Sequence, residues 1–251
     1  MKITQTYRKL FIALIIPLLF SACAKTTTEG IKTSFMEFYG SIESNPDETT
    51  VSVEAWLTSD EVNGPYEELG DGESITASNG VDTVTLKQDS GIQSDHKFKG
   101  TIDYIDGATY TIAYNRTSDV SASNSTVDLS NELTITSPTA DKTYTDGDVV
   151  DIKWTKPTDY ANFYVTSSDN CTIDGRDDLT STQTITDDNS GSISITIEKL
   201  LGVNLDQYII TQCDIDINFV TMIEGILDPA FGGGSMDAKS RRQVSIAYTP
   251  Q

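Results

Sequence analysis

Val51-Ser52-Val53-Glu54-Ala55-Trp56-Leu57 places an apolar side chain at every second position. Successive side chains of a strand point to opposite faces, so Val51, Val53, Ala55 and Leu57 line one face of a half-buried strand; a helix would scatter them around its girth. The same period recurs downstream, in Val84 with Leu86, Phe98 with Ile102 and Tyr104, and Tyr110 with Ile112 and Tyr114. Turn signals such as Asn63-Gly64-Pro65 and Gly70-Asp71-Gly72 separate these runs. Residues 35–130 therefore read as an all-β sandwich in which the apolar sets meet in one core. Trp56 stands apart from them, on the face opposite Val53 and Ala55. Either a neighbouring loop or domain covers it, or it is a contact site for a partner.

Beyond Val51–Leu57 in the other half of the chain the pattern repeats. A serine-rich stretch ends in Thr126-Val127-Asp128-Leu129, a closing strand, and a linker near Ser130 introduces a second domain over 131–251. Val150, Ile152 and Trp154 alternate, as do Phe163 and Val165, Ile193 to Ile197, Cys213 to Phe219, and Val244 to Tyr248. Between the last two runs, Met222 to Arg242 breaks the period with Asp228-Pro229 and Gly232-Gly233-Gly234. A connection of that size exceeds ordinary loops and is usually functional or disordered. If its flanks are strands F and G, it is the F-to-G loop, with Ile226, Leu227 and Phe231 as apolar contact residues and Lys239, Arg241 and Arg242 as a positive spot. The alternative is that these apolar residues cap the sandwich and the arginines guard an edge strand.

Several stretches resemble known modules. Asp106-Gly107-Ala108-Thr109-Tyr110-Thr111-Ile112 resembles the E-to-F corner of immunoglobulin-like domains, with Ile112 where antibody domains carry a cysteine. Leu133-Thr134-Ile135-Thr136-Ser137-Pro138, with Gly147-Asp148 followed by Val150, Ile152 and Trp154, resembles immunoglobulin-like modules of bacterial surface proteins. Together with Asn124 to Leu129 it is similar to uncharacterised proteobacterial lipoproteins bearing two such domains. The resemblance implies two tandem immunoglobulin-like β-sandwiches after a cleaved lipoprotein signal peptide. Its motifs mark fold positions and carry over no catalytic or ligand residue.

The amino terminus fits that expectation. Lys2, Arg8 and Lys9 precede the apolar run Leu10 to Phe20, and small residues follow, the layout of an export signal over 1–22. The run is shorter than the roughly 20 apolar residues a membrane span requires. Ala22-Cys23-Ala24 also satisfies ordinary signal cleavage, which would release a soluble protein. Phe20-Ser21-Ala22-Cys23 resembles the bacterial lipobox, which makes Cys23 an acylated N-terminus. Residues 23–34 then form a flexible stalk, and Ala24, which is not Asp, matches the outer-membrane sorting pattern; whether the protein faces periplasm or surface stays open.

Removing residues 1–22 takes three of the 17 basic residues and none of the 38 acidic ones, so the formal charge moves from −21 to −24. Such a field repels nucleic acid, which is excluded as a partner. With Cys23 lipidated, Cys171 and Cys213 remain as a pair in an oxidising compartment and are expected to form a disulfide. Free buried thiols or half of a metal site are the competing readings, and no Cys or His lies nearby to complete a ligand set. Calcium is the one cofactor to consider, through Asp169, Asp174, Asp177 and Asp178 in one loop, with solvated turn acids as the alternative. The only histidine is His96, and neither a Gly-x-Ser-x-Gly elbow nor a His-Glu-x-x-His motif is present. These features point to a non-enzymatic, lipid-anchored envelope module that presents loops to a protein or glycan or serves as a structural spacer. The rival is an envelope hydrolase using loop carboxylates.

Overall fold

A computed structural model describes residues 27–44, 49–59, 68–89, 97–129, 133–156, 158, 160–173, 179–202 and 209–251. The first half of the chain folds into eight strands. β1 (Met36–Ser44), β2 (Thr50–Ser59), β5 (Lys87–Gln88) and β6 (Phe98–Asp103) lie in one sheet in the order β1-β2-β6-β5. β3 (Ser74–Ser78), β4 (Thr83–Thr85), β7 (Thr109–Asn115) and β8 (Ala122–Asp128) form the facing sheet, ordered β4-β3-β7-β8. This is the immunoglobulin-like arrangement, A-B-E-D against C′-C-F-G. Val51, Val53, Ala55 and Leu57 are fully buried between the sheets with Phe38, Ile75, Ile112 and Tyr114. At the E-to-F corner the Tyr110 hydroxyl accepts from the Ile105 amide (2.9 Å) and donates to the Asp103 carbonyl (3.2 Å), closing the turn before β7.

The second half repeats the plan, again with eight strands among the described residues. β9 (Ile135–Ser137), β11 (Val149–Trp154) and β14 (Ser192–Thr196) form a sheet ordered β14-β11-β9, followed by the one-turn helix α1 (Ile197–Leu200). Opposite lie β10 (Thr143–Tyr144), β12 (Asn162–Ile173), β13 (Leu179–Thr186), β15 (Ile210–Glu224) and β16 (Gly233–Tyr248), ordered β13-β12-β15-β16 with β10 also on β16. Val150, Ile152, Val165, Ile215, Ile217 and Phe219 are fully buried in this core, and Trp154 stacks on Phe163 at 5.5 Å. Cys171 and Cys213 are directly opposed across β12 and β15 and form the expected disulfide.

Met222–Arg242 is not the long loop that its glycines and prolyl turn suggested. β15 runs on to Glu224 and β16 starts at Gly233, so only a short tip connects them. The first half of β16 pairs in parallel with β1, from Glu37↔Gly233 to Ser44↔Ser240, and on its other edge β16 pairs with β15 from Glu224↔Asp237 to Cys213↔Tyr248. One nine-stranded sheet thus passes through both halves of the protein. Met236 and Ala238 on β16 are buried in the first core, whereas Val244, Ile246 and Tyr248, on the same face of the strand, are buried in the second. The hairpin between β15 and β16 therefore completes the core of the first half.

The glycines explain how two strands so distant in sequence come together. A Cβ on Gly232 would lie 2.5 Å from the Ser34 carbonyl oxygen, and one on Gly234, whose φ is +114°, would lie 1.8 Å from that of Phe38. Contacts that close are accessible only without a side chain. Phe231 at the hairpin tip is 7% exposed and stacks on Phe38 (4.8 Å) and near Tyr114 (6.2 Å). Ile226 and Thr126 exchange backbone hydrogen bonds of 2.7 and 2.8 Å, and the Asp228 carboxylate accepts from the Asn124 amide at 2.8 Å. The hairpin therefore grips both sheets of the first sandwich, β1 of one and β8 of the other.

The expected stalk also behaves differently from Thr27 onward; residues 23–26, with Cys23, lie outside the described residues. Thr28 and Thr33 are buried, and Thr27 bridges to Glu68. Arg116, at the end of β7, holds this segment: it donates to the carbonyls of Thr28 (2.6 Å) and Ile31 (2.7 Å) and to the Thr33 hydroxyl (3.1 Å). Its Nε is 2.9 Å from Glu73 Oε1, and the two side chains are 0% and 1% exposed. Glu73 also accepts from the hydroxyls of Thr28, Tyr114 and Ser118. Burial pushes the Glu73 carboxyl up, but those three hydrogen bonds and that from Arg116 outweigh it and bring the pKa from 4.5 down to about 2. A buried pair is tolerable when every donor and acceptor is satisfied in this way.

Candidate functional site

The two small sheets cover one face of the large sheet, and the opposite face of β16, β1 and β2 carries polar side chains at alternate positions. Tyr39 on β1 faces Trp56 on β2, with rings stacked at 5.3 Å and 11°. On the other flank of β2, Lys97 precedes β6 and sets its Nζ 4.9 Å from the centre of the Trp56 ring. Trp56 therefore stands edge-up, half-buried, between an aromatic ring and an ammonium group. The Tyr39 hydroxyl donates to Glu37 (2.8 Å), and that bond, followed by burial, raises the phenol above its ordinary pKa.

Charged residues frame this pair in two rows. Glu54 lies 3.0 Å from Lys97 and 3.8 Å from Lys99, and Lys99 reaches Asp89 at 3.3 Å. On the β16 side Arg241 Nε is 2.5 Å from Glu43, Lys239 is 3.9 Å from Asp237, and the Ser41 hydroxyl donates to Asp237 at 3.0 Å. Between the rows lies a hollow of about 330 Å³, with the short side chains of Ser41 and Ser52 in its middle and Trp56, Lys97, Asp237 and Lys239 around it. A second hollow of about 340 Å³ shares Asp237 and extends past Leu227, Met222 and Met236 toward Asn162.

Two separate expectations thus converge. Trp56 and the positive residues Lys239 and Arg241, nearly two hundred residues apart in sequence, occupy one surface because β16 pairs with β1. Leu227 borders the second hollow and is partly buried against the first core. Phe231 is a core residue rather than a contact residue, and Ile226, though 72% exposed, sits at the β8 edge away from Trp56. Arg242 donates to the Arg241 carbonyl at 3.3 Å. Lys97, Glu54 and Ser41 were not marked by any motif; their common signal is outward parity beside Trp56 on neighbouring strands.

No protein-family model matches this chain, and no curated protein matches it. Among solved structures it is similar to a chain of a cytokine receptor complex, at 9% identity with a TM-score of 0.25, over 78% of this chain and 89% of that one. It is also similar to a three-domain immunoglobulin fragment of titin, at 11% identity with a TM-score of 0.22, over 86% of this chain and 64% of that one.

The calcium expectation rests mostly on Asp174, Asp177 and Asp178, which lie outside the described residues. Asp169 is only 2% exposed and points inward from β12. Its carboxylate accepts from the Ser181 hydroxyl (2.8 Å) and the Gly202 amide (3.2 Å). Among the described residues no group of three or more His, Cys, Asp or Glu side chains converges as a metal site. His96 lies outside the described residues.

Proposed function

We propose that the protein is a lipid-anchored module of the outer membrane that binds a glycan of the cell envelope through the outer face of its long sheet. The anchor is Cys23, acylated after removal of residues 1–22, and two immunoglobulin-like sandwiches follow it. The observation that supports binding is the hollow beside Trp56. Its charged groups are already matched to one another, so a ligand of strong net charge would have to break an ion pair to enter, whereas a neutral, hydroxyl-rich ligand can donate to the carboxylates and accept from the ammonium groups without doing so. Trp56 offers an apolar edge for the carbon side of a sugar. The placement of the hollow on a rigid sheet, with each carboxylate against a lysine, arginine or hydroxyl donor, favours holding a ligand over transforming it.

Glycan-array binding with the exported chain tests this reading. Trp56→Ala should weaken binding at least about tenfold, the scale of losing one buried aromatic contact. Undiminished binding by that variant would remove the face from consideration, and release of shortened glycan from a bound one would favour the hydrolase.

A further inference from the structure

The end of the first sandwich where the chain enters carries features that the glycan face does not use. The buried Arg116–Glu73 pair fixes Thr28, Ile31 and Thr33, so the place at which the chain leaves toward Cys23 is set by the fold. From Cys23 to Thr27 a fully extended chain reaches at most about 14 Å. Next to this exit, two large apolar side chains face solvent, Phe35 at 53% and Val120 at 65% exposure. Both lie beside Thr33. Thr33, two residues before Phe35, donates from its hydroxyl to the Val120 carbonyl (2.6 Å) and from its amide to Asp119 (2.7 Å).

We infer that this end of the protein is seated on the lipid bilayer, with Phe35 and Val120 in contact with the membrane interface; the inference rests on the reading of Cys23 as acylated. The occupant follows from reach. An acyl chain at Cys23 brings headgroups within about 14 Å of Thr27, and apolar side chains held at that distance gain by entering the interface. Among the described residues at the same end, Glu29, Asp71 and Asp119 outnumber Lys32, so the fitting surface is zwitterionic rather than anionic. β16 runs parallel to β1 and continues beyond it into the second core, so the second sandwich lies at the opposite end of the sheet, away from the membrane. At ~3.3 Å per residue the 16 residues of β16 reach about 50 Å. The hollow beside Trp56 then opens sideways between the two, and its ligand approaches parallel to the membrane.

Brominated phosphatidylcholine tests the orientation, because bromine on the acyl chains quenches a tryptophan that enters the membrane. Full-length protein purified from bacterial membranes is reconstituted as Phe35→Trp and as Val81→Trp, the second a control at the other end of β3 that is 79% exposed. The mass of the N-terminal peptide reports acylation of Cys23 in the same preparations. The expected result is a loss of emission for the added tryptophan of Phe35→Trp in brominated relative to plain vesicles, with none for Val81→Trp, after subtracting the unsubstituted protein. Acylated protein in which neither position, or both equally, is quenched overturns the seating and leaves the anchor standing. A Cys23 without acyl chains overturns the anchor itself, and the seating with it.

Discussion

The two halves of this chain share a plan and a sheet, but their cores are secured by different means. The second has a covalent tie, the Cys171–Cys213 disulfide across neighbouring strands, and its core draws on residues from 133 to 248 alone. The first has no cysteine among its strands. It is closed by a buried Arg116–Glu73 pair at one end and by a hairpin lent from the second half, which supplies Phe231, Met236 and Ala238 to its core. The difference shows that two cores read in succession along a chain need not be independent in folding: the first is completed by the end of β15 and the beginning of β16, whose other ends lie in the second. It also separates a tie that is indifferent to pH from one that depends on a carboxylate.

The sharpest way to break this comparison is truncation. Residues 24–130 without the hairpin should fail to fold cooperatively, because the β1 edge, the β8 edge and the space under Phe38 are all left open; a two-state thermal unfolding transition in that fragment would show that the hairpin is dispensable. The disulfide comes next. Replacing both cysteines by alanine in the full chain should cost about 4 kcal/mol in the chain-entropy model for a closed loop of 42 residues, read by urea denaturation. Glu73→Gln should cost roughly 3 kcal/mol at neutral pH. The Glu73 carboxyl titrates at about 2 in the folded protein against an ordinary 4.5, so the unfolded chain takes up the proton first. Its contribution is complete above pH 4.5 and is lost as pH falls toward 2, and the gap between Glu73→Gln and the parent protein should shrink over that range while the gap from the cysteine variant persists. The smallest effect belongs to Trp56→Ala, which removes a half-buried ring from the outer face and should lower stability by about 1 kcal/mol, while the proposed glycan binding should fall about tenfold. A much larger loss would make Trp56 a part of the fold rather than of the site.

Some features were determined by the sequence alone, and their physical basis is local. Alternation in Val51 to Leu57, Phe163 and Val165 or Cys213 to Phe219 dictates strand and inward face together, because the side-chain period of a strand is two wherever the strand ends up. The tyrosine of the corner at Asp106–Ile112 needs only a partner five to seven residues upstream, and Tyr110 finds it at Ile105 and Asp103. The cysteine pair could be named by composition, as the two cysteines left once Cys23 is set aside. Other features were decided only by tertiary structure. Glycines 232 to 234 look like breakers in isolation and become a means of close approach once β1 lies against them, at a separation of nearly two hundred residues that no local period encodes. Arg116 and Glu73 carry charge and would be placed on the surface by composition, yet they are buried because together they satisfy the loose backbone of Thr28 to Thr33. The proposed binding face was half legible: Trp56 declared itself by falling on the outward side of its strand, but Lys239 and Arg241 joined it only through the parallel pairing of the first strand with the last, since long-range hydrogen bonding, and not sequence neighbourhood, determines which outward side chains share a surface.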